Sequence, residues 1–452
     1  MKERVPKFLM PDTKKGVIPM KSLFRRLNES KTFHNLNEKE FSWVLYDVGN
    51  SAFTMLACSL IPIWYHNIAD SQVGLESATA NWAFATSLIT VIVAILGPIF
   101  GVVADRKGMK KILFTTVVAA GVIFCILNGF ITGSLLFLVV YGLSKIFYQA
   151  SSTFYDSMLN DITTEDRMDE VSSYGYAWGY LGSCIPFAVA LVAYVLGPDM
   201  VGILSEAVSK IIGFTVTGVW WMIVTIPLIK NYTQNYYSES DTNSVAGVFK
   251  KLGSTLYNIF MKDRKVLLFL VAFFLYIDGV DTIINNCINI GIALGLNTVG
   301  QVVVLLLTQV VAFGGSLVFG RLSRKYDAAK LLLVCIAGYF GVCLYALTLS
   351  KMWHFCILAF GVGCFQGSIQ SLSRSYFTKI IPPENSGEYF GLYDIFAKGA
   401  SFLGSLIIGI VMSTRGGTIQ VAVASLAVFF GVGFVVFMIA DRTPGRSEKK
   451  AE

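Results

Sequence analysis

Gly101-Val102-Val103-Ala104-Asp105-Arg106-Lys107-Gly108-Met109-Lys110-Lys111 lies between two long apolar spans, and a degraded echo, Gly320-Arg321-Leu322-Ser323-Arg324-Lys325-Tyr326-Asp327 with Lys330, recurs about half a chain later. A short, basic, glycine-bearing loop present in both halves implies an internal duplication. Around these loops, apolar stretches of about 20 residues follow one another along nearly the whole chain, each long enough to cross a hydrocarbon core of about 30 Å. Twelve are read, at about 41–66, 78–103, 112–131, 134–158, 172–197, 209–229, 265–289, 299–320, 331–349, 353–377, 389–413 and 418–440. The expected fold class is an all-α membrane protein whose twelve transmembrane helices form two pseudo-symmetric six-helix halves. Membrane transporters are commonly built from such repeats, which rock against each other around a site near the bilayer midplane.

Composition agrees. Of 452 residues, 54% are hydrophobic and 14% charged, where a soluble domain carries about 25% charged residues. The net charge of +7 does not point to nucleic acid, because its basic residues are placed by topology. They crowd the N-terminal segment and recur after even-numbered spans, as in Arg106, Lys107, Lys110 and Lys111, then Lys250, Lys251, Lys262, Arg264 and Lys265, while the alternate loops offer only Lys210, Lys351 and Arg415. By the positive-inside rule both termini are cytoplasmic. The expected organisation is a cytoplasmic segment 1–40, a six-helix bundle 41–229, a cytoplasmic linker 230–264, a second bundle 265–440 and a tail 441–452. Within the linker, Val245, Val248, Phe249, Leu252, Leu256, Ile259 and Phe260 recur at helical spacing beside lysines, as in a helix lying on the membrane surface or packed on the protein. The first forty residues lack the apolar core of a cleavable signal. The sequons Asn28-Glu29-Ser30 and Asn231-Tyr232-Thr233 fall on the cytoplasmic side, which favours a bacterial plasma membrane over a vacuolar one. All eight cysteines lie within spans without metal-ligand spacing and read as small buried hydrophobes.

Ionisable groups inside a bilayer are costly and usually face a wet interior. Span one places Asp47, Asn50, Ser51, Thr54 and Cys58 on one helical face; span seven answers with Asp278, Asp281, Thr282 and Asn285, so that Asp47 and Asn50 mirror Asp278 and Asp281. Span four carries Lys145, Gln149, Ser152 and Asp156, span ten carries Gln366, Gln370, Ser373 and Arg374, and Lys398 sits midway along span eleven. Serines and threonines at such positions also serve as interhelical glue, worth about 0.6 kcal/mol each; Asp156 and Arg374, near span ends, also fit a structural ion pair. The glycine-rich spans five and eleven are expected to pack where the halves meet. No phosphate-cradling loop, metal motif or nucleophile elbow is present, so neither an ATP-driven pump nor an enzyme is expected, and no cofactor.

The loop from Gly101 resembles the signature between the second and third helices of the major facilitator superfamily, approximately G-x-x-x-D-R-x-G-R-K. Gly101, Asp105, Arg106, Gly108 and Lys110 match, and Met109 stands where a basic residue is usual. The resemblance implies that Gly101, Asp105, Arg106 and Gly108 form a conformational latch joining the cytoplasmic ends of the halves in the outward-open state, and that helices one, four, seven and ten line the cavity. More narrowly, Trp43-Val44-Leu45-Tyr46-Asp47-Val48-Gly49-Asn50-Ser51-Ala52-Phe53, Tyr276-Ile277-Asp278-Gly279-Val280-Asp281-Thr282, Gln366 to Ser375, and Glu388 to Tyr393 with Lys398 are similar to blocks of the autophagy-related vacuolar amino-acid effluxer family and its bacterial relatives. That similarity implies export of amino acids.

The expected activity is therefore secondary transport of a small polar solute, an amino acid or short peptide, by alternating access, with efflux favoured. The expected partners are the solute, the bilayer and protons carried by a buried aspartate, with no nucleic acid, and the expected state is a monomer. Lys145, Lys398 or Arg374 would engage a carboxylate and Asp47, Asp278 or Asp281 an ammonium. Export of amphipathic or toxic compounds, for which Tyr148, Tyr155, Tyr276 and Phe377 leave room, is the alternative, and a nontransporting receptor or transceptor the third reading.

Overall fold

The computed structural model describes residues 36–198, 200–239, 244–296, 298–414 and 416–445. The basic N-terminal segment through residue 35 and the tail from 446, both expected to be cytoplasmic, lie outside the described residues. Twelve long helices are numbered here in chain order: α1 Glu38–Val73, broken at Ser59; α2 Leu75–Ala104; α3 Met109–Asn128; α4 Ser134–Ser157; α5 Met168–Val195; α6 Glu206–Asn231; α7 Arg264–Asn285; α8 Thr298–Leu322; α9 Ala328–Tyr345; α10 Met352–Ile380; α11 Ser386–Ser413; and α12 Ile419–Arg442, broken at Leu426. Eleven of these are long and apolar enough to cross a membrane, and α11, 28 residues long, contains the apolar stretch Leu403–Ser413. Both described chain ends fall on one face, here the termini face.

Local chemistry sets the helix starts. At α1 the Asn37 side chain accepts the Glu40 N–H at 2.9 Å while the Glu40 carboxylate accepts the Asn37 N–H at 2.8 Å, a capping box that satisfies two otherwise orphaned amides. Gly108, at φ 74°, supplies the left-handed turn that sends the chain from α2 into α3, a conformation that strains a residue bearing a Cβ. The linker helix Val245–Met261 packs Val248, Thr255 and Ile259 on the protein, one of its two expected placements, and exposes Phe249, Tyr257, Phe260 and Met261.

The halves meet along two related seams, α2 against α11 and α5 against α8, with α5 also touching α10. On the first seam Gly97 and Gly101 face Gly391 and Gly387. A Cβ on Gly101 would collide with the Gly387 backbone, and one on Gly391 with the backbone of Gly97 and Pro98. Glycines four apart on each helix thus let the backbones touch, which in lipid is a main source of helix association.

The duplication extends to individual contacts. Tyr46 (α1) shares a 2.7 Å hydrogen bond with Ser151 (α4), and Tyr276 (α7) one of 2.7 Å with Ser373 (α10). Gly49 seats against Trp221 and Val224 of α6, and Gly279 against Phe430 of α12. The matched pairs are therefore Tyr46 with Tyr276 and Gly49 with Gly279. This register aligns Asp47 with Ile277, Val48 with Asp278 and Ser51 with Asp281, correcting by one residue the pairing of Asp47 with Asp278 expected from sequence. One residue on an α-helix is a rotation of about 100°, enough to move a side chain from a cavity to a packed interface.

Replacing Gly101 by Leu should force α2 away from α11, costing the sealed termini end about 1–3 kcal/mol as overpacked contacts do. Thiol labelling of a cysteine placed at Ser386, measured against the same cysteine in the parent, should rise.

Candidate functional site

Between the halves lies a cavity of about 400 Å³. Asp47, Asn50, Ser51, Thr54 and Cys58 reach it from α1; Tyr148, Gln149, Ser152, Tyr155 and Asp156 from α4; Tyr176, Tyr180 and Ser183 from α5; Phe273, Ile277, Asp281 and Asn285 from α7; Gln309 from α8; Gln366, Gln370 and Arg374 from α10; Tyr393, Asp394 and Ala397 from α11. Helical periodicity explains the α1 and α4 sets, because steps of three and four keep one face turned inward.

The floor is built on Arg374, only 2% exposed. From α10 in the second half it crosses into the first. Its Nη1 lies 2.9 Å from Asp156 Oδ1 and its Nη2 3.4 Å from Asp47 Oδ2, while Nε donates to Ser172 Oγ at 2.9 Å and Nη2 to the Ser172 carbonyl at 3.0 Å. Tyr155 donates to Asp47 Oδ2 at 2.8 Å. The guanidinium plane sits 4.5 Å from the ring centres of both Trp43 and Tyr176. Two rings and an edge of carboxylates fit a planar, delocalised cation far better than an ammonium.

Below the floor the halves are stapled together. Asp105 accepts the N–H groups of Gly387 and Glu388 at 2.8 and 2.9 Å, the first turn of α11, where a helix dipole favours a negative charge. Lys110, fully buried, lies 3.4 Å from Asp105 and donates to Ser386 Oγ at 2.8 Å. Burial pushes the Asp105 carboxyl above the ordinary carboxylate range, opposed by Lys110 and by the two amides. Lys379 pairs with Asp169 at 2.6 Å, Arg324 pairs with Glu170, Ser172 bonds the Ser371 carbonyl, and Thr153 bonds Asp394. Gly101 and Gly108 shape the loop and Arg106 sits half-buried on it. The hydrogen bonds and ion pairs named here join the halves at the floor and below it, so the molecule is closed at the termini face.

Two expected site residues fall elsewhere, and a third has a side chain outside the described residues. Asp278 does not reach the cavity: it is 0% exposed, turned by the register toward Gly404 of α11. Lys145 is not among the lining residues; its ammonium lies 5.2 Å from the Tyr148 ring centre and 5.9 Å from that of Phe53. The side chain of Lys398 lies outside the described residues. Tyr276 and Phe377, expected to leave room in an aromatic cavity, are buried in the second bundle. Conversely, Tyr176, Tyr180, Ser183, Gln309 and Tyr393 were not expected. Tyr176 and Tyr180 stand four apart in the glycine-rich segment of α5, a spacing that marks one helical face, but glycines drew attention there to packing.

Among the described lining residues, four carboxylates, Asp47, Asp156, Asp281 and Asp394, face one cation, Arg374. The cavity is acidic, and its arginine is already engaged.

The family described as "Vacuole effluxer Atg22 like" matches residues 37–450. The chain belongs to this family. An uncharacterized MFS-type transporter, YxiO of Bacillus subtilis (strain 168), is 38% identical over 403 residues, covering 88% of this chain and 94% of that protein. Autophagy-related protein 22-1 of Neosartorya fischeri is 25% identical over 308 residues, 62% of this chain and 49% of that protein, so the chain spans about half the length of this fungal relative. Among solved structures, the major facilitator superfamily transporter FucP in the outward conformation superposes with TM-score 0.67 at 15% identity over 90% of this chain and 99% of that one, and the proton:xylose symporter XylE with TM-score 0.70 at 10% identity over 92% and 97%. At such identities the likeness carries the fold. The Atg22-like chain is a multi-pass secondary transporter with the twelve-helix major facilitator architecture.

Arg374→Ala in this Atg22-like transporter leaves two carboxylates buried without their counter-charge, a loss of about 3–5 kcal/mol by analogy with broken buried pairs. Arg374→Lys should recover little, since an ammonium cannot stack between Trp43 and Tyr176 while serving both aspartates. Thermal denaturation of the purified variants in detergent checks both expectations.

Proposed function

We propose that this transporter moves a small polar solute carrying an ammonium group, an amino acid or short peptide, by alternating access, as an exporter that exchanges solute for protons. The observation that carries the reading is the cavity between the halves, sealed at one end, where among the described residues four carboxylates outnumber one guanidinium that already has its partners. Among the described residues Asp281 has no hydrogen bond or ion pair, and with Asn285 one turn along and Gln366 across the cavity it offers an ammonium a charged acceptor and neutral ones. A solute carboxylate would have to compete for Arg374 with Asp47 and Asp156. That competition supplies a means of opening: a solute or a proton that loosens the floor weakens the tie between the halves. Asp105, Gly101, Arg106 and Gly108 then act as the latch, with both termini on the cytoplasmic side of a bacterial plasma membrane.

One observation favours a second reading, export of amphipathic cations. The cavity wall carries the rings of Tyr148, Tyr155, Tyr176, Tyr180, Phe273 and Tyr393, and aromatic faces attract organic cations. The two readings share the acidic cavity and differ in how much apolar body the solute brings.

A thermal-shift panel of the purified protein against amino acids, dipeptides, lipophilic amines, sugars and dicarboxylates separates them. Amine-bearing solutes should stabilise the protein and dicarboxylates should not. Asp281→Asn should weaken a positive hit by about tenfold or more, equivalent to ~1.4 kcal/mol. Stabilisation by dicarboxylates that survives Asp281→Asn would reject the reading.

A further inference from the structure

Asp278 has no place in the cavity, yet it is the more unusual carboxylate. It is 0% exposed, and neither carboxylate oxygen has a hydrogen-bond partner among the described residues. The groups that reach toward it, the Gly404 backbone and the Thr282 hydroxyl, are both uncharged. The matching position in the first half is Val48, an apolar residue packed against Gly182 of α5. Packing alone therefore does not call for a carboxylate here.

An ionised carboxylate without a counter-charge is strongly disfavoured in a dry helix interface, and such a group takes up a proton instead. The charged residues on the elements packed against α7 supply no described partner: Lys379 of α10 pairs with Asp169, Glu388 opens α11 at the termini face near Lys251, and Lys250 and Lys251 sit on the linker helix at that same face. Arg374 of α10 and Asp394 of α11 face the cavity floor, Asp441 and Arg442 of α12 lie at the termini face where Asp441 accepts from Tyr376, and Lys398 of α11 has a side chain outside the described residues. On α7 itself, Asp281 stands one turn beyond Asp278 and lines the cavity, and residues three apart on a helix are neighbours at about 5–6 Å.

We propose that Asp278 is a proton-binding site held apart from the solute cavity, neutral in the dry α7–α11 interface and reached from cavity water through Asp281. A proton from cavity water binds Asp281 first; when the two carboxyls come within hydrogen-bond reach the Asp281 O–H bond breaks as an Asp278 O–H bond forms, which leaves Asp281 ionised and able to pair with an ammonium, and release runs the same step in reverse. At Asp281 a proton in transit and a cationic solute exclude one another, which is the elementary requirement of exchange. The exchange part rests on the transport reading above; the protonation of Asp278 does not.

Infrared spectroscopy of the full chain in lipid nanodiscs at neutral pH tests that protonation without any solute. The wild type should show the carbonyl stretch of a protonated carboxylic acid, lost in Asp278→Asn and in Asp278→Val, the latter carrying the residue of the matching position and guarding against a misfolded variant. Asp281→Asn should keep the band. A wild-type spectrum without the band, as an ionised Asp278 paired with a cation would give, or a band unchanged in both Asp278 variants, would overturn the proposal.

Discussion

A guanidinium from one half, buried among carboxylates and aromatic rings of the other, is the interaction on which the arrangement depends. Arg374 cannot leave its site without stranding Asp47 and Asp156, and they cannot lose it without becoming bare charges in a low-dielectric interior. A buried ion pair of this kind contributes little net stability relative to an apolar core, but breaking it is expensive. Its value lies in specificity: it defines one relative placement of the halves, and it responds to any charge that enters from the cavity above. The floor joins the halves through side chains that a change of charge can release, whereas the glycine seam below joins them through backbone contact.

That division of labour follows from the duplicated scaffold. Gly97 and Gly101 against Gly391 and Gly387 bring α2 and α11 to backbone contact, and α5 against α8 supplies the related seam. Asp105 and Lys110 then tie the first turn of α11 to the loop after α2. Close-packed surfaces switch between discrete arrangements instead of deforming continuously. A seam of glycines backed by a few charge-assisted hydrogen bonds is therefore suited to complete closure or complete release, which is what rocking halves need.

The two halves share contacts but not charges. Tyr46 and Tyr276 make the same hydrogen bond to the fourth helix of their own half, and Gly49 and Gly279 the same contact with the sixth. Around that common frame Asp47 is matched by Ile277, Val48 by Asp278 and Ser51 by Asp281. Scaffold positions retain the repeat while ionisable positions differ, so α7 places one carboxylate in the cavity and one in a buried interface. FucP and XylE share the overall fold at 10–15% identity, a likeness that carries the architecture alone.

Hydropathy, the basic loops and the paired glycine-bearing motif made the twelve helices and the duplication legible in the sequence, because bilayer thickness and backbone hydrogen bonding leave a spanning chain few alternatives. Polar steps of three and four on α1 and α4 likewise announced Asp47, Asn50, Ser51, Gln149 and Asp156, since a helix face is a local property. What depended on the fold was which way neighbouring helices turn those faces. A one-residue register, about 100° of rotation, sends Asp278 into a packed interface and Asp281 into the cavity; α5 brings Tyr176 and Tyr180 where only packing glycines were expected; and Arg374, near the end of its helix, is drawn across the interface by carboxylates more than two hundred residues away in sequence. Spacing along one helix encodes periodicity, but the partner that a side chain meets is decided by the packing of all of them.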